Sequence, residues 1–158
     1  HLAHEQCAGW YAFDEGGRSG QGGWKYYRTT WNPGCAMPHG WAIAELFLLM
    51  RDSILFEDDG RLVLFAGLPE DWFVHKDGLS LVGMPTHFGP CSLDYRLTPG
   101  GATLALTGPA APPRGFVLRL PPALRPKALA DGRPVRGAPR GEVLLPAGTK
   151  EARLEFAP

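Results

Sequence analysis

The sequence predicts an α+β fold in which one buried helix precedes an antiparallel β-sandwich, and three observations carry the prediction. Met37 to Phe56 is the only stretch that reads as a full helix. Beyond Leu79 the apolar residues alternate, as in Leu93, Tyr95, Leu97 and again Leu104, Leu106, which is the pattern of a sheet with one wet face. The composition supplies the turns such a sheet needs, with 21 Gly and 16 Pro in 158 residues. A loop-rich segment over 1–78 carrying the helix, at about 38–56, and a sandwich over 79–158 follow as the expected domains.

The helix is unusual in having no polar side. Trp41, Ala44, Leu48 and Leu55 fall on one side and Ile43, Leu46, Phe47, Met50 and Ile54 cover the rest, so that Glu45, Arg51 and Asp52 are its strongly polar interior positions. A helix apolar all round must be buried on nearly every side or sit in a membrane. Three ionisable residues in a segment short of the roughly 20 apolar residues of a span exclude the membrane. The reading is a core helix made for more neighbours than this chain supplies. Pro38 suits its first turn, where a missing N–H costs nothing.

Residues 1–38 are dense in Gly, aromatics and polar side chains, with one candidate short helix at 4–13. The run Asp14 to Gly23 is a connector by composition, and Trp24, Tyr26, Tyr27 and Trp31 around it supply planar faces. After the helix, 57–60 reads as a turn, 61–65 as a strand-length apolar run, and 68–73 as a single helical turn opened by Pro69. Strands are then expected at 79–82, 89–97, 102–107, 115–120, 127–130, 142–145 and 152–156. Turn signals separate them at Pro99-Gly100-Gly101, Asp131-Gly132 and Pro146-Ala147-Gly148.

Sixteen Lys plus Arg balance sixteen Asp plus Glu, which leaves no electrostatic footprint for nucleic acid and no basic face for an anionic membrane. A neutral partner fits better. Three cysteines without CxxC spacing argue against a zinc site or a disulfide framework; one Cys7–Cys35 bridge is the alternative to free thiols. The five histidines are scattered, only His1 and His4 having ligand-like spacing, so no metal and no cofactor is expected. Neither a phosphate loop nor a GxSxG elbow occurs. No targeting signal follows His1, and a soluble, bacterial-type cytoplasmic setting is expected over a secreted one.

What stands out chemically is a carboxylate among aromatics: Glu5, then Trp10, Tyr11, Trp24, Tyr26, Tyr27 and Trp31, and finally His39-Gly40-Trp41 at the mouth of the helix. Sugar rings stack on such faces, and a carboxylate beside them is how a glycosidase base is supplied. The competing reading makes Glu5 a solvated loop residue and the aromatics packing.

Glu5-Gln6, a Gly- and aromatic-rich loop, Pro38 to Glu45 opening an apolar helix, and a β-rich tail together resemble the C-terminal end of six-hairpin glycosidases. These are the (α/α)6-barrel glycoside hydrolases, including glucoamylase-like and trehalase-like enzymes. Gly60 to Trp72 resembles the point where the chain leaves the barrel in bacterial members, and Ala130 to Val135 with Val143 to Gly148 resembles their accessory sandwich. The resemblance implies Glu5 as catalytic base, with Trp10, Trp31, His39 and Trp41 contacting a carbohydrate substrate. The loop is longer than usual, and Glu15 is a rival base within it. Such a barrel has twelve helices, so the remainder, including the second carboxylate about 6.5–9.5 Å across the sugar in an inverting enzyme, would lie on a preceding or separate chain. The alternatives are a free-standing carbohydrate-binding module and a structural sandwich that caps a partner.

Overall fold

The computed structural model describes residues 6–7, 12–13, 40–124, 126–135 and 142–156. Two compact units divide the chain, His1–Met50 and Arg51–Pro158.

In the first unit, strands β1 (Gln6–Cys7) and β2 (Ala12–Phe13) pair antiparallel. Gln6–Cys7 and Ala12–Phe13, expected within a short helix at 4–13, are paired strands instead: the apolar spacing there is too short to distinguish the two periods, and backbone pairing decides. Helix α1 spans Gly40–Ile54. It ends two residues before the expected Phe56, because Leu55 already opens a strand with no intervening loop. None of its residues is buried in the described structure. Trp41, Phe47 and Leu49 are 74%, 61% and 64% exposed.

The second unit is a sandwich of two sheets. One holds six strands in the order β10-β9-β12-β7-β6-β5 and the other four in the order β11-β8-β4-β3. The larger sheet is built from β5 (Leu79–Met84), β6 (Cys91–Thr98), β7 (Gly101–Thr107), β9 (Lys127–Ala130), β10 (Arg133–Val135) and β12 (Glu151–Glu155). β3 (Leu55–Asp58), β4 (Arg61–Leu64), β8 (Phe116–Arg119) and β11 (Glu142–Leu145) make the smaller. Strands β3 and β4 thus give the sandwich two members from before residue 79, where the sequence reading started it. Glu57 and Asp58, expected in a turn, are in β3; the turn is Asp59-Gly60, with φ of 44° and 73°. Two adjacent positive φ values match the tight hairpin turn whose twist suits the strands it joins. Asp131-Gly132 repeats it between β9 and β10, at 46° and 77°. The pairing is antiparallel except for β4 with β8, which run parallel and join the two halves of the smaller sheet.

The register explains the core. Tyr95 faces Leu104, which faces Ala152, while Leu62 lies beside Phe116 and Leu64 beside Leu118. These inner faces meet in one apolar cluster, to which Val143 and Leu145 also belong. Phe65, Phe73 and Tyr95 close one end as three edge-to-face rings with centroids 5.7, 5.8 and 6.0 Å apart. Phe65 holds a φ of 67°, costly for a bulky residue, and its burial in this trio offsets the strain. The smaller sheet carries a second apolar row, Phe56, Val63, Val117 and Leu144, on its other face. Val63 and Val117 in that row are buried, so from Leu62 to Leu64 β4 is apolar on both faces rather than alternating.

Candidate functional site

Of the residues the sequence singles out, Trp41 is described, and it stands in the first turn of α1 with an exposed ring. Glu5, Glu15, Trp10, Trp31 and His39 lie outside the described residues, as do the side chains of Cys7 and Cys35. At 3.6 residues per turn Trp41 shares its side of the helix with Ala44, Glu45 and Leu48. Glu45 is exposed. Its carboxylate therefore has no desolvation cost to be relieved by partners.

The chemically organised part of the described chain is the last turn of α1. Arg51 donates from one guanidinium nitrogen to Asp52 at 2.9 Å, and from the other to Glu57 at 2.7 Å and to the carbonyl of Pro85 at 3.1 Å. Glu57, which the sequence reads as part of a turn, is the strongest of these partners. Glu57 is in register with the fully buried Leu62 on the inward side of β3, where a lone carboxylate would be costly. It also accepts the backbone N–H of His87 at 2.9 Å. The Arg51 guanidinium, followed by the His87 amide, draws the Glu57 carboxyl down to about 2 against its partial burial, and the same pair raises Arg51. His87 contributes through its backbone, and its imidazole is exposed.

Two further bonds complete this helix end. Phe65 N–H donates to the carbonyl of Ile54 at 2.7 Å and Gly67 N–H to that of Ser53 at 3.1 Å, using carbonyls that a helix terminus leaves without intrahelical partners. A Cβ at Gly67 would stand 2.9 Å from the Ser53 hydroxyl, so only glycine lets the chain pass this close. Residues 51–54 are thus tied to the strands that follow them by side-chain and backbone bonds together.

Elsewhere the titratable groups are structural. Asp131 accepts the N–H groups of Lys150 and Glu151 at 3.1 and 2.9 Å, pinning the β9–β10 turn to β12. Tyr95, fully buried, donates its hydroxyl to the carbonyl of Phe73 at 3.2 Å, and burial pushes its phenol up to about 12. On the outer face of the larger sheet, Asp94 pairs with Arg96 at 2.7 Å, which lowers the carboxyl. Arg119 pairs with Glu142 at 2.8 Å and lies 5.9 Å over the ring of Phe56. That outer face presents Ser80, Ser92, Asp94, Arg96, Thr103 and Arg153, and no aromatic ring among the described residues. Among the described residues there is no cluster of three or more metal-ligating side chains, and no helix is long and apolar enough to cross a membrane. Cys91 is a free, buried thiol.

Comparison with known proteins gives no match to a family model, a curated protein or a solved structure.

Proposed function

We propose that this chain is the C-terminal part of an (α/α)6-barrel glycoside hydrolase, contributing its last barrel helix, the catalytic base Glu5 and an accessory β-sandwich. One observation supports the reading above the rest: α1 is apolar on every side, yet Trp41, Phe47, Leu48, Leu49 and Met50 are all exposed in the described structure. A helix of that composition is made to be surrounded. Surrounding helices in a barrel would supply what it lacks, and they would bring the Trp41 end beside the aromatic loop and Glu5.

The test compares the 158-residue chain with the complete assembly that contains it, on a panel of aryl glycosides and oligosaccharides. The complete assembly is expected to turn over a member of the panel and Glu5→Gln to abolish that turnover, while the 158 residues alone are inactive. Turnover by the isolated chain that is lost on Glu5→Gln would overturn the incomplete-barrel reading. An active assembly indifferent to Glu5→Gln removes Glu5 as base, and an inactive one removes the glycosidase assignment. The second reading, a carbohydrate-binding module, draws on exposed Trp41 and Trp72, but the aromatic-free outer face of the larger sheet gives a glycan no platform there.

A further inference from the structure

Asp-Gly pairs stand at Asp59-Gly60, Asp77-Gly78 and Asp131-Gly132. Such a pair carries its own chemistry. The glycine nitrogen can attack the aspartate Cγ, forming a C–N bond and expelling the carboxyl oxygen as water, to give a cyclic succinimide. Water then adds back at either ring carbonyl. Opening at one returns aspartate; opening at the other leaves isoaspartate, whose main chain runs through the former side-chain methylene. One water leaves and one returns, so the product is an isomer and no co-reactant is consumed. Glycine favours the attack because no Cβ hinders approach to its nitrogen.

Two local conditions govern the step in a folded chain. The carboxyl must be able to turn toward the following nitrogen, and that nitrogen must not be committed to another acceptor. Asp131 fails the first: its carboxylate accepts the backbone N–H groups of Lys150 and Glu151 at 3.1 and 2.9 Å, and its own N–H donates to the Glu151 carbonyl at 2.9 Å. Asp77-Gly78 fails the second, because the Gly78 N–H donates to the His75 carbonyl at 3.0 Å, while the Arg96 guanidinium holds the Asp77 carbonyl.

At Asp59-Gly60 the Gly60 N–H has no hydrogen-bond partner among the described residues. The Asp59 side chain is 76% exposed, and one group holds it, the guanidinium of Arg114, which also reaches the Asp59 carbonyl at 3.3 Å. Arg114 is itself half exposed, and ion pairs of that kind are weak. Its backbone N–H donates to the Gly60 carbonyl at 3.0 Å, which belongs to the next peptide unit and leaves the Gly60 nitrogen uncommitted. Attack requires the hairpin tip to open transiently, and opening here breaks the fewest bonds to the reacting groups.

We infer that Asp59 is a modification site of this protein, the aspartate of the three that converts to isoaspartate in the folded chain, with Arg114 as the residue that slows it. An extra backbone carbon at the tip is incompatible with the two-residue turn that sets Asp58 opposite Arg61, so the change loosens the β3–β4 hairpin. The inference is independent of the proposed glycosidase role, because it uses this hairpin alone.

The experiment ages the full chain in warm, mildly acidic buffer, folded and, in parallel, unfolded in urea. Isoaspartate is quantified by enzymatic methyl transfer from S-adenosylmethionine and located by peptide mapping with electron-transfer fragmentation. Dividing the folded rate at each site by its unfolded rate removes the effect of flanking sequence. The ratio is expected to be highest at Asp59. Arg114→Met should raise it there about twofold to fivefold, the size of one exposed ion pair, and leave Asp77 and Asp131 unchanged. A ratio at Asp77 or Asp131 that equals or exceeds that at Asp59 overturns the assignment, and this comparison needs no variant. Absence of isoaspartate at Asp59 in the folded chain, while the unfolded chain forms it, overturns the site. A rate at Asp59 unchanged by Arg114→Met, or raised equally at all three sites, overturns the role given to Arg114.

Discussion

Replacing Glu57 with Gln removes a charge and almost no volume at the junction of helix and sandwich. The glutamine oxygen can still accept one hydrogen bond, so the loss is chiefly electrostatic. Holding the carboxyl at about 2 in place of 4.5 is worth at most about 3 kcal/mol, since one pH unit corresponds to about 1.4 kcal/mol. The two side chains are 15% and 14% exposed, and that solvent access brings the expected cost to about 2 kcal/mol. The sign follows from the lowered pKa: the stabilisation is complete above pH 4.5 and disappears as pH falls through 2. Urea unfolding of wild type and Glu57→Gln should therefore differ by about 2 kcal/mol at pH 7, by less than half of that at pH 3, and by only about 0.2 kcal/mol at pH 2. Asp52→Asn is the control, because Asp52 is 52% exposed; its removal should cost under about 0.5 kcal/mol. Arg51→Met combined with Glu57→Gln should cost much less than the two changes summed, since each alone strands the other's charge. A Glu57→Gln deficit that does not change between pH 7 and pH 3, or additive single changes, would refute the argument that a partly buried charge pair ties Arg51 to β3.

Three other outcomes follow. Gly101→Ala should cost more than about 3 kcal/mol, because its Cβ would collide with the Leu154 carbonyl oxygen across the β7–β12 ladder. The neighbouring Gly100→Ala meets no atom within 4 Å and bears only the strain of φ at 74°, about 1 kcal/mol, so equal melting temperatures for the two variants would contradict the geometry. Tyr95→Phe should lower the unfolding free energy by about 1 kcal/mol, leaving the Phe73 carbonyl without its donor, and in wild type the ultraviolet phenolate signal of one tyrosine should appear only near pH 12. The isolated chain should self-associate with rising concentration in sedimentation velocity through the exposed apolar residues of α1, and Phe47→Asp with Met50→Lys should return it to monomer; a wild type that stays monomeric throughout argues against the helix as a contact surface.

Most of the larger sheet is legible before any coordinates, because each strand alternates in period two and each hairpin carries its own turn chemistry. Leu93 and Tyr95 point inward and Asp94 outward as the alternation requires, and Asp131-Gly132 turns where it reads as a turn. Strand β10 was missed because Arg133-Pro134-Val135 is short and carries a proline, tolerated here at a sheet edge. β3 was missed because Glu57 and Asp58 look like turn residues until Arg51 and the His87 amide are brought to Glu57 from distant positions in the chain. The end of α1 was misplaced by the same two strands, since Leu55 and Phe56 continue its apolar run in sequence but pair with Leu64 and Val63 in space.

The sequence by itself determined that a helix without a polar side is followed by a sandwich, because periodicity and turn residues are local. Only the tertiary structure decided that the sandwich begins at Leu55, that β4 and β8 run parallel, and that Glu57 answers Arg51. Each of these joins residues far apart in the chain, and such pairings are fixed by the register and packing of whole sheets, which no local pattern encodes.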